Sequence, residues 1–336
     1  MLSRTAKIVA QWVLVAVFLF VLITIGDVSE LMRLPKIRWS FVLLAFLSTV
    51  GSTLIHNLRW MAIVKGVSKG SAELRRDFFR FYRWLLNSYA IGTVIPNDIS
   101  LAGVRTYYVN RSQNLHLPAA LFSVLLDRFF DLVVFFVLAL PSFIMITKVG
   151  GEIEALSILG LLMGATLLSI FWKKGEAIEF LIRLYRHGTD LLLKLPIIGK
   201  RVGGKWKETL GKSSFSEGSV YQMMGWSFLK YLLLSLRFYF TGRALGVKFP
   251  FLQGVFFIPF IQLVGMLNVT PGGLGVVEMG SYGALILMGV SESKGMVFVV
   301  GQRILLSCIT ISLALAIHFI FFMRSRRLGE RGMEGV

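Results

Sequence analysis

Val94-Ile95-Pro96-Asn97-Asp98 and Val269-Thr270-Pro271-Gly272-Gly273 each cut an apolar run, and each is followed by a new helical pattern, Ile99 to Val109 and Leu274 to Met288. Proline removes a backbone donor, and the Asn-Asp or Gly-Gly pair behind it supplies a tight turn and a helix start. The two breaks sit in a repeated frame. Upstream, Leu58-Arg59-Trp60 with Gly66-Val67 is echoed by Leu236-Arg237-Phe238 with Gly246-Val247. Downstream, Arg128 follows Pro96 by the same interval at which Arg303 follows Pro271. Three landmarks in one order point to an internal duplication, which in membrane proteins marks a two-state transporter fold.

The composition fixes the solvent. With 55% hydrophobic and 16% charged residues and a mean hydropathy of +0.72, the chain reads as an all-α polytopic membrane protein rather than a water-soluble domain. Uninterrupted candidate spans are 8–26, 40–61, 119–146, 156–172, 221–245 and 297–323, each long enough for the hydrocarbon core. The first is too long for a signal-peptide core and has no small-x-small cleavage site, so it reads as a retained helix. The two broken stretches, about 84–109 and 251–290, read as re-entrant hairpins that enter and leave on one side. Backbone broken at membrane depth persists only where protein or water satisfies it.

The charge of +18 is sorted by this topology instead of pointing to nucleic acid. Arg4, Lys7, Lys65, Lys69, Arg75, Arg76, Arg80, Arg83, Arg111, the basic run within 173–212 and Arg324, Arg326, Arg327 and Arg331 fall on the face of both termini. Arg33, Lys36, Arg38, Lys148, Lys248 and Lys294 fall on the other. The positive-inside bias places both termini in the cytoplasm. The two Leu-Arg-aromatic elements then lie on spans running in opposite directions, so the repeat is inverted. The expected organisation is a membrane half over 1–172, a basic amphipathic cytoplasmic linker over 173–220 that suits anionic lipid, a second half over 221–323 and a tail over 324–336.

Charges inside apolar runs are costly and call for a partner or a function. Asp127 and Asp131 stand at i and i+4 with Arg128 beside them, and an internal ion pair with Arg128 is the plainest reading of all three. Arg303 has no acid within a turn, and Glu278, early in the helix after Gly272-Gly273, is its expected partner. Glu278 is also placed to meet its own helix N-terminus. Arg105 follows Asp98 on the first hairpin. Guanidinium groups bind phosphate bidentately and stay charged. Arg128, Arg303 and Arg105 are therefore the candidate lipid-headgroup residues. Asp98, Asp127, Asp131 and Glu278 are the charge-balancing or proton-coupled ones, with Pro96, Asn97, Pro271, Gly272 and Gly273 as the broken-helix turns.

Pro271-Gly272-Gly273-Leu274-Gly275-Val276-Val277-Glu278, Leu125-Leu126-Asp127-Arg128-Phe129-Phe130-Asp131-Leu132, Arg59-Trp60 and Arg105-Thr106-Tyr107-Tyr108 together resemble the lysylphosphatidylglycerol synthase transmembrane family, the flippase-like membrane proteins. That family includes the flippase domain of the multiple peptide resistance factor, which is joined to an aminoacyl transferase. Only 13 residues follow the last expected span, no transferase domain is expected, and the resemblance then implies translocation rather than synthesis. Where the family often has a Gly-Gly-Asp-like turn, this chain has Asn97-Asp98-Ile99-Ser100, a departure that bears on the substrate more than on the fold.

The resulting reading is a multi-pass lipid translocase, expected in a bacterial inner membrane, that moves an anionic phospholipid or polyprenyl-phosphate glycolipid between leaflets by alternating access at symmetry-related arginine sites. The alternative is a membrane-embedded enzyme or accessory factor of lipid, polyprenyl-glycan or hopanoid biosynthesis. His56, His116, His187 and His318 have no metal-ligand spacing, and neither a P-loop nor a Gly-x-Ser-x-Gly elbow occurs. No cofactor, metal or nucleic acid is expected, and an enzyme would have to work through carboxylates. Cys308 is the single cysteine, which leaves no intrachain disulfide.

Overall fold

The computed structural model describes residues 37–68, 78–93, 95, 97–113, 115–147, 217–252, 254–255, 261, 270 and 273–333. The expected spans 8–26 and 156–172, nearly all of the linker 173–220 and the turn residues Pro96, Pro271 and Gly272 lie outside them, as do the side chains of Asn97 and Asp98. Among the described residues there are seven helices and no strand: α1 (Trp39–Val67), α2 (Phe78–Ile91), α3 (Asn97–Ser112), α4 (Leu117–Thr147), α5 (Glu217–Ala244), α6 (Val276–Leu287) and α7 (Glu292–Met333). Helices therefore cover the expected spans 40–61, 119–146 and 297–323 and nearly all of 221–245. The first broken stretch divides into α2 and α3 at the expected place.

α1 is turned inside out relative to a helix of a soluble protein, and α7 is apolar on both faces. On α1, Ser48, Thr49, Ser52, Thr53, His56, Asn57 and Arg59 are buried, while Leu43 and Leu47 are 57% and 54% exposed. On α7, Leu315 and Phe319 are exposed while Ala314 and Ile317 are buried. Apolar side chains facing outward and polar ones facing inward is the arrangement a lipid solvent selects. α1, with a mean hydropathy of 1.6, and the segment Glu292–Met323 of α7, at 2.4, are long and apolar enough to cross a membrane. The buried hydroxyls of α1 are satisfied locally: Ser48 Oγ donates to Leu44 O at 2.8 Å and Thr49 Oγ1 to Ala45 O at 2.7 Å.

α1 and α5, which carry the two Leu-Arg-aromatic elements, form the most extensive helix pair. Gly51 makes room for it, since a Cβ there would stand 3.3 Å from Leu233 Cδ1. α2 and α3 fold against each other and against α1 and α4. Ser100 Oγ on α3 donates to Ser88 O on α2 at 2.6 Å, and Trp84 stacks on Tyr108 with ring centroids 5.3 Å apart. α7 closes over α2 through His318 Nε2 and Asn87 Oδ1, 2.7 Å apart, and through Arg83 over the Phe321 ring. One apolar core runs from Trp60 and Phe81 through Phe130 to Phe238 and Phe298. The polar residues of α1, α4 and α5 meet inside this bundle.

Candidate functional site

Asp127 and Asp131 are one turn apart on α4, so both carboxylates leave the same face of that helix. That face is directed into the bundle, and Arg59 of α1 answers both of them. Its Nε donates to Asp127 Oδ1 at 2.8 Å, and its Nη1 donates to Asp131 Oδ1 and to Ser227 Oγ, each at 2.7 Å. His56, one turn earlier on α1, reaches Asp127 Oδ2 through Nε2 at 2.8 Å. Arg105 of α3 donates through Nη1 to the same oxygen at 2.9 Å. Lys230 of α5 donates to both oxygens of Asp131 at 2.6 Å. Two carboxylates thus join four helices.

The two acids, for which spacing on α4 suggested Arg128, are reached from three other helices by Arg59, His56, Arg105 and Lys230. Charge-assisted bonds between buried groups are strong, and each lone pair used on a carboxylate offsets part of its desolvation. His56 Nδ1 lies 2.6 Å from the Tyr89 hydroxyl. With Nε2–H donating to Asp127, Nδ1 accepts the tyrosine proton, and a neutral ring satisfies both contacts. Arg105 also lies over the Trp60 ring, 4.2 Å from its centroid, which fixes the plane of the guanidinium.

Donors outnumber acceptors here. Arg105 is 0% exposed, yet among the described residues its Nε and Nη2 have no hydrogen-bond partner, and the same holds for Arg59 Nη2 and Trp60 Nε1. Buried N–H groups left without acceptors cost free energy that an added acceptor recovers. What these N–H groups lack is an acceptor, and beside guanidinium groups an anionic acceptor forms the stronger bond. Among the described residues, no three His, Cys, Asp or Glu side chains converge as a metal site would require.

The second constellation is smaller. Gly273 and Gly275 adopt φ of 75° and 86°, conformations that lead the chain into α6 without a Cβ clash. Glu278, in the first turn of α6, accepts the Gly275 N–H through Oε2 at 2.8 Å. Its Oε1 lies 3.2 Å from Arg303 Nη1 on α7, whose side chain is 29% exposed. Both sequence expectations for Glu278, the pair with Arg303 and the contact with its own helix start, are met by different oxygens of one carboxylate.

Arg105, Asp127 and Asp131 are thus brought together on α3 and α4, with half-buried Arg128 within electrostatic reach of Arg105 and Tyr89. Arg303 and Glu278 are brought together on α6 and α7. Sequence reasoning assigned no site role to Arg59, and it missed His56, Ser227, Lys230 and Tyr89. One signal was present: Lys230 and Arg59 are ionisable residues inside apolar spans, which marks a residue for attention whatever its spacing.

A family model described as Lysylphosphatidylglycerol synthase TM region matches residues 8–324. The chain is similar to a UPF0104 membrane protein of Methanothermobacter thermautotrophicus, 23% identical over 265 residues that make up 75% of each chain. A UPF0104 membrane protein of Pyrococcus horikoshii is 24% identical over 278 residues, 79% of this chain and 81% of the relative.

Proposed function

The chain belongs to the lysylphosphatidylglycerol synthase TM family of membrane proteins, and on that premise we propose that it is a lipid translocase that carries an anionic or phosphate-bearing lipid between leaflets. The observation that carries this reading is Arg105, fully buried in a helical membrane protein with two N–H groups lacking acceptors. An arginine held in that state is stabilised by an incoming phosphate and, without one, carries a standing desolvation cost.

In this reading Arg105 and Arg128 bind the headgroup in the first half of the chain and Arg303 binds it in the second. Asp98, Asp127, Asp131 and Glu278 balance the site when it is empty or carry a coupled proton. The halves are inverted copies, 84–109 and 251–290 are re-entrant hairpins, and the site opens to one leaflet at a time. Both termini lie in the cytoplasm, with the basic linker on the cytoplasmic leaflet. The packing of α1 against α5, the two helices that carry the repeated element, supports a two-fold relation.

The test is transfer of a labelled anionic phospholipid and of a polyprenyl phosphate between leaflets, by pure protein in liposomes without nucleotide. Transfer by the native chain that falls by about tenfold or more in Arg105→Gln supports the translocase; a shift of that size is about 1.4 kcal/mol of headgroup interaction. A covalently altered lipid in place of transfer would sink it in favour of an enzyme.

A further inference from the structure

His56 links the most enclosed carboxylate of the centre to a less enclosed hydroxyl. Its Nε2 lies 2.8 Å from Asp127 Oδ2, and an ionised carboxylate only accepts, so Nε2 carries a hydrogen whatever the charge of the ring. Its Nδ1 lies 2.6 Å from the hydroxyl of Tyr89, which is half-buried, whereas His56 is 2% and Asp127 0% exposed. A hydroxyl both donates and accepts. The ring can therefore gain a proton at Nδ1 without losing a hydrogen bond, because the Tyr89 oxygen turns from donor to acceptor. Arg59 and Arg105 have no such freedom, since a guanidinium stays charged, and Lys230 already spans both oxygens of Asp131.

The groups around His56 decide when that proton is held. Arg59 shares its helix, Tyr89 comes from α2, Arg105 from α3, Asp127, Asp131 and Arg128 from α4 and Lys230 from α5. Arg105 Nη1 is 3.4 Å from His56 Nε2, and both donate to one oxygen, Asp127 Oδ2. Like charges repel, so the neutral ring suits the centre as it stands. An anion seated on the unpartnered Nε and Nη2 of Arg105 brings negative charge to the guanidinium that shares Asp127 with His56. We infer that the anionic headgroup binds together with one solvent proton, held on His56 Nδ1 beside Tyr89, so that His56 is the proton-carrying residue of this site. The only bond formed is that N–H, and the proton returns to solvent when the headgroup leaves. This rests on the headgroup reading above and moves the coupled proton from the carboxylates to an imidazole.

The experiment is calorimetric titration of phosphatidylglycerol into the full chain in detergent at about pH 6.5, in two buffers of different ionisation enthalpy, which reads the protons taken up with each lipid. The phosphodiester itself does not titrate in this range. The native chain should take up as much as about one proton per headgroup, and its affinity should rise by up to about tenfold for each unit by which the pH falls. His56→Gln keeps a donor for Asp127 and an acceptor for Tyr89 but takes no proton, so both the uptake and the pH dependence should vanish. No uptake by the native chain, or uptake undiminished in His56→Gln, overturns the inference. If that variant fails to fold, nitrogen NMR of a chain carrying His116→Gln, His187→Gln and His318→Gln, in which His56 is the remaining imidazole, decides: lipid should convert the ring to imidazolium, and a ring that stays neutral overturns it. Glycerophosphoglycerol, the same headgroup without acyl chains, separates the sources. Uptake with it assigns the linkage to the phosphate alone, uptake with the lipid only assigns it to a membrane-borne headgroup, and either supports the proton on His56. Lipid transfer without proton uptake removes this inference and leaves the translocase, whereas proton-linked binding without transfer does the reverse.

Discussion

The centre around Arg59 and the pair Arg303–Glu278 are built from the same chemical groups and held in opposite ways. Arg59 is fully buried and joined to two carboxylates and a hydroxyl at 2.7–2.8 Å, and those carboxylates are shared with His56, Arg105 and Lys230. Arg303 meets one carboxylate oxygen at 3.2 Å with its side chain 29% exposed. A network this connected is a fixed support, because no single member leaves without stranding another's charge. The contact at Arg303 is longer and wet on the arginine side only, because Glu278 is buried, and a Glu278 released from Arg303 keeps the Gly275 N–H and its helix start as partners. The network fixes Arg105, and in the proposed transport cycle the Arg303–Glu278 pair is the part that exchanges.

Breaking the support should have the largest effect. Asp127→Ala removes the acceptor of His56, Arg59 and Arg105 together and should destabilise the protein by about 3–5 kcal/mol, read as a large fall in unfolding midpoint in detergent. A midpoint unchanged within error would show that the network is not a support. Next, Ser227→Ala deletes the hydroxyl that accepts from Arg59 Nη1, a bond to a charged group, and should cost about 1.5–3 kcal/mol. Loss of less than about 0.5 kcal/mol would mean that water replaces the hydroxyl.

The second region should respond more weakly. Glu278→Ala removes the carboxylate at the start of α6 and should cost about 0.5–2 kcal/mol, the range for losing a helix cap, seen as earlier amide exchange in α6. The smallest effect is expected for a double-mutant cycle between Arg303 and Glu278, with a coupling of about 0.2–1 kcal/mol. A coupling above about 3 kcal/mol would make this pair a second support and erase the contrast.

Much of the fold was legible because a lipid solvent simplifies the code. The apolar runs that fall on described residues are helices, and the interruption read at 94–98 falls between the end of α2 at Ile91 and the start of α3 at Asn97. The pair Arg303–Glu278 was legible for the same reason: each residue was the other's best partner among few charges. The first centre was only half legible. Asp127, Asp131 and Arg105 stood out, but their partners come from α1 and α5, far along the chain, and spacing on one helix speaks only for neighbours on that helix. His56 was weighed as a metal ligand and not as a hydrogen-bonding link. Arg59 served as a landmark of the repeat while the chemistry around it went unread.

The most direct test of the contrast is the rate of inter-leaflet transfer by Arg303→Ala in nucleotide-free liposomes, measured beside its unfolding midpoint. The account predicts a midpoint within about 1 kcal/mol of the native chain and transfer of anionic lipid reduced by about tenfold or more. Native transfer rates in a folded Arg303→Ala protein would contradict it.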